Sequence, residues 1–397
     1  MNNEQVKPYE RVQLFSGGGS RFGYYLGSYA ALVSHDLAPD IIVGTCGGSL
    51  SAYLVQLAPN PKDLQALMCS RELYRVITAI RYVAPDEANK LLKLRYMTHA
   101  LKRWRLSKQR DNGQGQRQAD SYERLLNELQ QLAMFRIDNE QYWLDELSRF
   151  AASDNGSAAD KTTPEIAIIA SRLYQASTDG LYNEKTTLQE LLFAPPCLAN
   201  LPNFASGLAD GQMTSPAHTF ANGRIHPSVK VQTQWDFAPV IRASMADMYY
   251  LPPTHITELG WCLGGVINLT PIELACQLGD SVFAETKAGY DPWLAAPAIQ
   301  RVFGFDPNER LAAVHSYQPV SVSALTETIN KNRQLHWLPF ADNEQQLAGQ
   351  NVQKRFNLKQ MTVELIHSDY DGFVQQMQAQ WQYGYQRTVN YIQQHKL

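Results

Sequence analysis

The chain has 397 residues, of which 44% are apolar and 18% are charged, a composition typical of a folded globular protein with a sizeable core rather than of a disordered chain. Its formal charge of −3 argues against nucleic acid as the main partner. No run of about 18 apolar residues predicts a membrane span, and the polar stretch from Met1 to Glu10 lacks the apolar core of a secretion signal.

The five cysteines are odd in number and have no paired metal-ligand spacing. They are Cys46, Cys69, Cys197, Cys262 and Cys276. We therefore expect reduced thiols in a cytoplasmic protein, and the sequence predicts neither a metal site nor a cofactor.

The first half of the chain alternates apolar runs with segments of helical spacing. Val12–Phe15 and Ile41–Val43 predict buried strands, and Arg21–His35 and Ser49–Leu57 predict the helices that follow them. Ile166–Ala170 is a third predicted strand. This alternation predicts an α/β fold with a central, mostly parallel sheet sandwiched by helices.

Residues 85–160 differ in character from the flanking chain and predict a mostly helical insertion over the sheet. From Lys90 to Arg110, eight lysines or arginines and no acids are interleaved with leucines and Trp104. This basic stretch is either a solvated helix face or a docking surface for a membrane leaflet, the phosphates of coenzyme A or an acidic carrier protein. Further along, Tyr122–Phe150 predicts another helical stretch and Ala151–Thr163 a loop.

The C-terminal third of the sequence has a mixed character. Val363–Ile366 predicts a strand, and Phe373–His395 predicts a final amphipathic helix. We therefore predict a core over residues 10–280 and a mixed, partly helical extension over residues 281–397 that packs on this core.

Three consecutive glycines, Gly17, Gly18 and Gly19, follow the first predicted strand. Such a loop lets backbone N–H groups approach a ligand closely at the start of a helix, where negative charge is favoured. In acyl transfer these donors would hold the oxyanion of the tetrahedral intermediate. The alternatives are a tight turn or a phosphate loop, but the Gly-Lys-Ser/Thr of a nucleotide-binding loop does not follow.

A second glycine-rich turn, Gly44-Thr45-Cys46-Gly47-Gly48, lies between the second predicted strand and its helix. This is the layout of a nucleophile elbow, which exposes one reactive side chain above a sheet. We expect the helix N-terminus to lower the pKa of the Cys46 thiol and so favour the thiolate. The alternative is a small packed cysteine without chemistry.

With these blocks the sequence resembles the patatin-like phospholipase family. The family's glycine loop aligns with Gly17–Phe22, and its Gly-x-Ser-x-Gly block aligns with Gly44–Gly48. Its third region, an Ala-Ser-x-Ala stretch, prolines and an Asp-Gly-Gly/Ala motif, aligns with Arg242–Ala246, Leu251–Pro253 and Leu263–Pro271. The resemblance covers residues 10–280 and implies the patatin-like α/β fold for them.

Two departures from the family pattern bear on the chemistry. The resemblance implies a Ser–Asp dyad, but Cys46 stands at the serine position and Leu263 at the aspartate position. Leucine cannot accept a proton, so the family's dyad is not present in its usual form. Either Cys46 acts as a thiolate that needs no carboxylate, or the protein is a pseudoenzyme that binds lipid or a protein partner.

The function we predict is acyl transfer or acyl hydrolysis of fatty-acyl thioesters or lipid esters. Cys46 would be the nucleophile, Gly17, Gly18 and Gly19 the oxyanion hole, and Arg21 a residue that orients the loop or binds substrate charge. His255 and Asp210 are the candidates for a base. The acyl donor would be carried by coenzyme A or an acyl carrier protein, and residues 90–110 would make a peripheral membrane contact.

Overall fold

The computed structural model describes residues 7–17, 19–82, 122–148, 163–174, 187–200, 213–247, 249–292, 295–318, 334–357 and 362–397. Its strands are β1 Tyr9–Phe15, β2 Ile41–Thr45, β3 Ile80–Tyr82, β4 Phe135–Ile137, β5 Glu165–Leu173, β6 Leu188–Phe193, β7 Lys230–Gln232, β8 Thr254–Ile256, β9 Gly260–Leu263, β10 Gly279–Glu285, β11 Gln334–Leu338, β12 Gln353–Asn357 and β13 Thr362–Ile366. Its helices are α1 Gly23–Val33, α2 Gly47–Leu57, α3 Pro61–Met68, α4 Arg71–Thr78, α5 Tyr122–Leu132, α6 Phe237–Ser244, α7 Ile272–Leu278, α8 Ala295–Phe303, α9 Pro307–His315, α10 Asn343–Gln346 and α11 Tyr370–His395.

A mostly parallel central sheet organises the molecule and confirms the predicted α/β fold. The strand order is β11-β10-β1-β2-β5-β6-β7. In addition, β9 pairs with β5, and β8 pairs with β9. The five strands from β11 to β5 are parallel to their neighbours, whereas β5 pairs antiparallel with β6 and β9. Helices cover both faces, so β2 is buried along its whole length, and its sequence begins with three consecutive apolar residues.

The strands and helices that surround the two glycine turns form where the sequence predicts them. The strand β1 leads into the first glycine turn and α1 follows it, while the second turn joins β2 directly to α2. The final helix and the strand β13 are also confirmed, because the structure places them at Tyr370–His395 and Thr362–Ile366.

The C-terminal segment is joined to the core sheet. The strand β11 pairs with β10 in parallel, so residues beyond 280 extend the central sheet. The final helix α11 crosses α1 at close range, since a Cβ added at Gly27 would lie 2.1 Å from the carbonyl oxygen of Trp381. The predicted boundary at residue 280 falls inside β10, and the division into core and extension stays a prediction.

The predicted helical stretch Tyr122–Phe150 is wrong in its middle, although residues 145–148 are again helical. The helix α5 ends at Leu132, and the strand β4 then pairs antiparallel with β3. The reason is a short alternation: Phe135 and Ile137 are buried and Arg136 between them is exposed, which is the period of a strand. The basic stretch 90–110 lies outside the described residues, so its docking role stays a prediction.

Among the described helices, none combines the length and the apolar character needed to cross a membrane.

Candidate active site

The turn between β2 and α2 has the backbone geometry of an elbow. Cys46 adopts φ 51° and ψ −123°, a conformation that residues with a side chain rarely adopt and that costs about 1–3 kcal/mol. The helix α2 packs tightly on β1 just behind the turn, because a Cβ added at Gly48 would lie 1.7 Å from the carbonyl oxygen of Phe15. The fold therefore maintains a strained backbone whose effect is to present the Cys46 side chain above the sheet.

Two serine hydroxyls hold this backbone in place. The Cys46 N–H donates to Ser244 Oγ at 2.9 Å, and that hydroxyl donates to the Ile169 carbonyl at 2.7 Å. On the other side, Ser49 Oγ donates to the Cys46 carbonyl at 2.6 Å. Ser244 thus connects the elbow both to the end of α6 and to β5.

Replacing Ser244 with alanine is expected to destabilise the fold by about 1–3 kcal/mol, because the Cys46 N–H and the Ile169 carbonyl both lose their buried partner. Urea unfolding measures the change. Ser316→Ala is the matched control, since Ser316 directly follows α9 and its exposed Oγ donates to the Ala313 carbonyl in the last turn of that helix. Equal stability of the two variants would contradict the role we assign to Ser244.

The first glycine loop lies directly against the elbow. The Gly17 N–H donates to Thr45 Oγ1 at 3.1 Å, and Thr45 Oγ1 donates to the Leu269 carbonyl at 2.9 Å. A Cβ added at Gly17 would lie 2.8 Å from the Cβ of Cys46, and one added at Gly47 would lie 3.2 Å from the Gly19 amide nitrogen. Gly18 is outside the described residues, and the oxyanion role of the loop stays a prediction.

A buried ion pair anchors the same loop from β10. Lys287 Nζ donates to the Gly17 carbonyl at 3.0 Å and lies 2.7 Å from Glu285 Oε1. Glu285 also accepts the hydroxyl groups of Tyr24 and Tyr25 from α1. The Lys287 side chain is 11% exposed and the Glu285 side chain 1% exposed, so the cation and its counter-charge are both largely shielded from water.

A carboxyl group that the sequence analysis did not single out faces the elbow. Asp247 comes shortly after α6, is 4% exposed, and accepts the Val266 N–H on Oδ1 at 3.0 Å. Its carboxyl group fills the space beside Gly264, where an added Cβ would lie 1.7 Å from Oδ1. Its other oxygen, Oδ2, is buried and has no hydrogen bond of ordinary geometry within the described part of the chain.

Cys46 and Asp247 shift each other's pKa. Cys46 keeps partial solvent exposure, yet the protein packed around its sulfur raises the pKa of the thiol well above the ordinary value of 9.0. The Asp247 carboxylate raises this pKa further, while the Gly47 N–H and the Lys287 ammonium lower it. Burial raises the pKa of Asp247 from 3.8 to about 6, against the opposing effect of the Cys46 thiol and the Val266 N–H.

The expectation that the helix N-terminus lowers the pKa of Cys46 is therefore wrong. The Gly47 N–H does act in that direction, but the loss of hydration around the sulfur and the facing carboxylate outweigh it. At neutral pH the geometry favours a protonated thiol beside an ionised carboxylate. A protonated thiol is a weak nucleophile, so Cys46 needs a group that accepts its proton before it can attack a substrate.

The other predicted site residues lie in different surroundings. Arg21 points towards the C-terminal segment, with Nη1 4.0 Å from Glu344 Oε1. His255 is exposed on β8 and its ring packs edge-on against Trp261, with no described contact to Cys46. Asp210 lies outside the described residues, so both candidates for the base stay predictions.

The sequence contained a signal for Asp247. It is the first acid after the Ala-Ser-x-Ala block, three residues beyond Ser244, in a chain whose usual aspartate position is Leu263. Lys287 had no comparable signal, because it lies outside the blocks of the family resemblance and reaches the loop only through the pairing of β10 with β1.

The comparisons with known proteins extend the resemblance. The family model described as Patatin-like phospholipase matches residues 14–276. A curated patatin-like phospholipase domain-containing protein of Pyricularia oryzae is 43% identical over 74 residues, which is 18% of this chain and 9% of that protein. One of the same description from Chaetomium globosum is also 43% identical over 74 residues, 18% of this chain and 8% of that protein.

These alignments therefore span less than a tenth of the length of the curated relatives. Among solved structures, VipD from Legionella pneumophila aligns with a TM-score of 0.34 and 12% identity, covering 98% of this chain and 68% of that chain.

Proposed function

Because the chain belongs to the patatin-like phospholipase family, we propose that it is an acyl hydrolase or acyltransferase that uses Cys46 as its nucleophile. The substrates would be fatty-acyl thioesters or lipid esters, with coenzyme A or an acyl carrier protein as the carrier of a thioester. One observation carries the proposal: Cys46 has the strained backbone of an elbow, φ 51°, directly against the glycine loop. A fold that maintains such strain commonly does so for a functional reason.

The reaction would begin with attack of the Cys46 sulfur on the acyl carbonyl carbon. A C–S bond forms, the thiol proton leaves, and the carbonyl electrons move to oxygen to give a tetrahedral oxyanion. The carbonyl then re-forms as the bond to the alcohol or thiol leaving group breaks and that group takes up a proton. Water or a second acceptor releases the acyl group from Cys46 by the same steps.

The oxyanion would be held by backbone N–H groups of the Gly17, Gly18 and Gly19 loop, with Gly18 and Gly19 as the donors, because the Gly17 N–H already donates to Thr45 Oγ1. Each such donor is worth about 3–4 kcal/mol of transition-state stabilisation. The hydrogen bond from Gly17 to Thr45 and the bond from Lys287 to Gly17 support this role, because they fix the loop before substrate arrives. Arg21 would hold the far side of the loop through its position near Glu344.

The proposal predicts a covalent acyl adduct on the protein when it is incubated with acyl-coenzyme A thioesters of several chain lengths. Intact-mass measurement should show the addition of one acyl group, and peptide mapping should place it on Cys46. The partly exposed Cys69 gives the matched control, so Cys69→Ala should keep the adduct and Cys46→Ala should lose it.

Two results would count against this function. An adduct that persists in Cys46→Ala would mean that another group reacts, for instance the exposed Cys197. Absence of any adduct, together with binding of the intact thioester, would support a protein that binds acyl chains without turning them over.

A further inference from the structure

We infer that Asp247 is the catalytic carboxylate of this site and takes the proton from the Cys46 thiol, although it comes from a different position in the chain than the family's aspartate. The inference rests on the proposed function of Cys46. It explains how a chain with Leu263 at the usual aspartate position keeps a carboxylate at the nucleophile.

The first step of the argument is position. The loop that follows α6 runs alongside the segment after β9, because the Gly264 N–H donates to the Ala246 carbonyl at 2.9 Å and the Val266 N–H donates to Asp247 Oδ1 at 3.0 Å. These two bonds place the carboxyl group of Asp247 beside Gly264, the residue next to Leu263. The lack of a side chain at Gly264 leaves room for it.

The second step is the unpaired oxygen. A buried carboxylate usually satisfies its oxygens with donors, since an unpaired one is costly. Here Oδ1 has its donor, but Oδ2 has none of ordinary geometry within the described ranges. Of the described side chains, the Cys46 thiol is the one that lowers the pKa of Asp247, against the larger effect of burial. Such contacts are often long in the absence of substrate and tighten on binding.

The third step is the charge around the pair. Burial raises the pKa of the phenol of Tyr290, in the segment after β10, and the charges of Asp247, Glu285 and Cys46 raise it further. Lys287 acts on Cys46 from the same segment. Lys287 is already paired with Glu285 at 2.7 Å, and no ion pair between described residues neutralises the charge of Asp247.

The proton transfers of the reaction balance with Cys46, Asp247 and the substrate alone. Asp247 accepts the thiol proton as the C–S bond forms, and the protonated carboxyl group returns this proton to the leaving alcohol or thiol. In the second half, Asp247 takes a proton from the incoming water or acceptor and returns it to Cys46 as the sulfur leaves. No oxidant, reductant or metal is consumed.

The pH dependence of the acylation rate distinguishes proton transfer to Asp247 from attack by a thiolate that forms without a base. Burial raises the pKa of Asp247 to about 6 and that of Cys46 well above 9.0. If the carboxylate is the base, the acylation rate rises through about pH 6 and is level above pH 7. If the thiolate acts alone, the rate keeps rising tenfold per pH unit beyond pH 9.

The experiment compares wild type, Asp247→Asn and the surface control Asp236→Asn, whose side chain lies at the start of α6 and is exposed. Acylation by an acyl-coenzyme A thioester is followed by intact mass, and alkylation of Cys46 by iodoacetamide is followed by peptide mass, both from pH 5 to 10. We expect Asp247→Asn to acylate about 10²–10⁴-fold more slowly and to lose the step near pH 6. Asp236→Asn should match wild type.

The same variant separates a catalytic from a structural role. The raised pKa means that the folded state disfavours ionised Asp247, so this group opposes folding increasingly as the pH rises above 3.8, and the effect is complete above about pH 6. Asp247→Asn should therefore melt at or above the temperature of wild type at pH 7.5. Slow acylation in a variant of undiminished melting temperature supports catalysis by the carboxylate.

Clear outcomes overturn the inference. Acylation within threefold of wild type in Asp247→Asn, or a wild-type rate that keeps rising beyond pH 9, excludes Asp247 as the base. If wild type forms no adduct at all, the proposed function fails, and the alkylation profile still shows whether Asp247 controls the thiol. If Asp247→Asn does not fold, the wild-type profiles alone decide.

Discussion

The single variant Cys46→Ser is expected to hydrolyse an activated oxygen ester without any second substitution. A serine hydroxyl ionises far less readily than a thiol, so it needs a base, and Asp247 already faces residue 46 from the loop after α6. A general base of this kind contributes about 10²–10⁴-fold to the rate. Hydrolysis of a p-nitrophenyl ester should therefore run at least about 100-fold faster in Cys46→Ser than in Cys46→Ala.

Two control variants change the carboxylate near residue 46: one removes it from position 247, and the other adds a carboxylate at position 263. In Cys46→Ser/Asp247→Asn we expect the rate to fall to that of Cys46→Ala. Cys46→Ser/Leu263→Asp places a carboxyl group at the position that the family resemblance implies. If only this variant is active, while Cys46→Ser is folded and inert, residue 263 is the required position and Asp247 does not serve as the base.

The sequence predicted the part of the site that is local along the chain. The turn at Cys46 and the loop at Gly17 each consist of consecutive residues, and strand and helix signals directly flank them. Because β1 and β2 are adjacent parallel strands, their C-terminal ends meet at one edge of the sheet. The two glycine turns therefore lie together, as the order of the motifs predicted.

Asp247 was missed because its position depends on contacts between distant segments. Its carboxyl group accepts the Val266 N–H, its neighbour Ala246 accepts the Gly264 N–H, and the space it occupies exists because Gly264 has no side chain. Asp210 was a candidate because Gly211 follows it, and His255 was a candidate because it lies eight residues before Leu263. Neither pattern indicates which side chain fills the space beside a glycine.

The direction of the pKa shift of Cys46 was also missed, because the sequence does not show which of two opposing effects is larger. The helix N-terminus acts on the sulfur through the Gly47 N–H, which is one favourable contact. Loss of hydration acts on the whole thiolate charge and is the largest cause of the shift. A sequence shows that a helix begins after Cys46, but it does not show how densely the sulfur is packed.

Lys287→Met is expected to weaken both the fold and the site. The substitution leaves Glu285 buried, at 1% side-chain exposure, without its cation, and it removes the donor to the Gly17 carbonyl. Breaking a buried ion pair on one side costs about 3–5 kcal/mol. We expect a loss of this size in urea unfolding and slower acylation of Cys46, because the glycine loop loses its anchor to β10.

The double variant Lys287→Met/Glu285→Gln separates these two effects. Neutralising residue 285 removes the uncompensated charge, so part of the unfolding free energy should return. Tyr24 and Tyr25 donate to different oxygens of Glu285, so one of the two hydroxyls keeps its acceptor in the amide oxygen. The Gly17 carbonyl still lacks its donor, so acylation should stay slow. Recovery of both stability and rate would show that Lys287 only balances Glu285. Recovery of stability alone makes it a positioning residue of the loop.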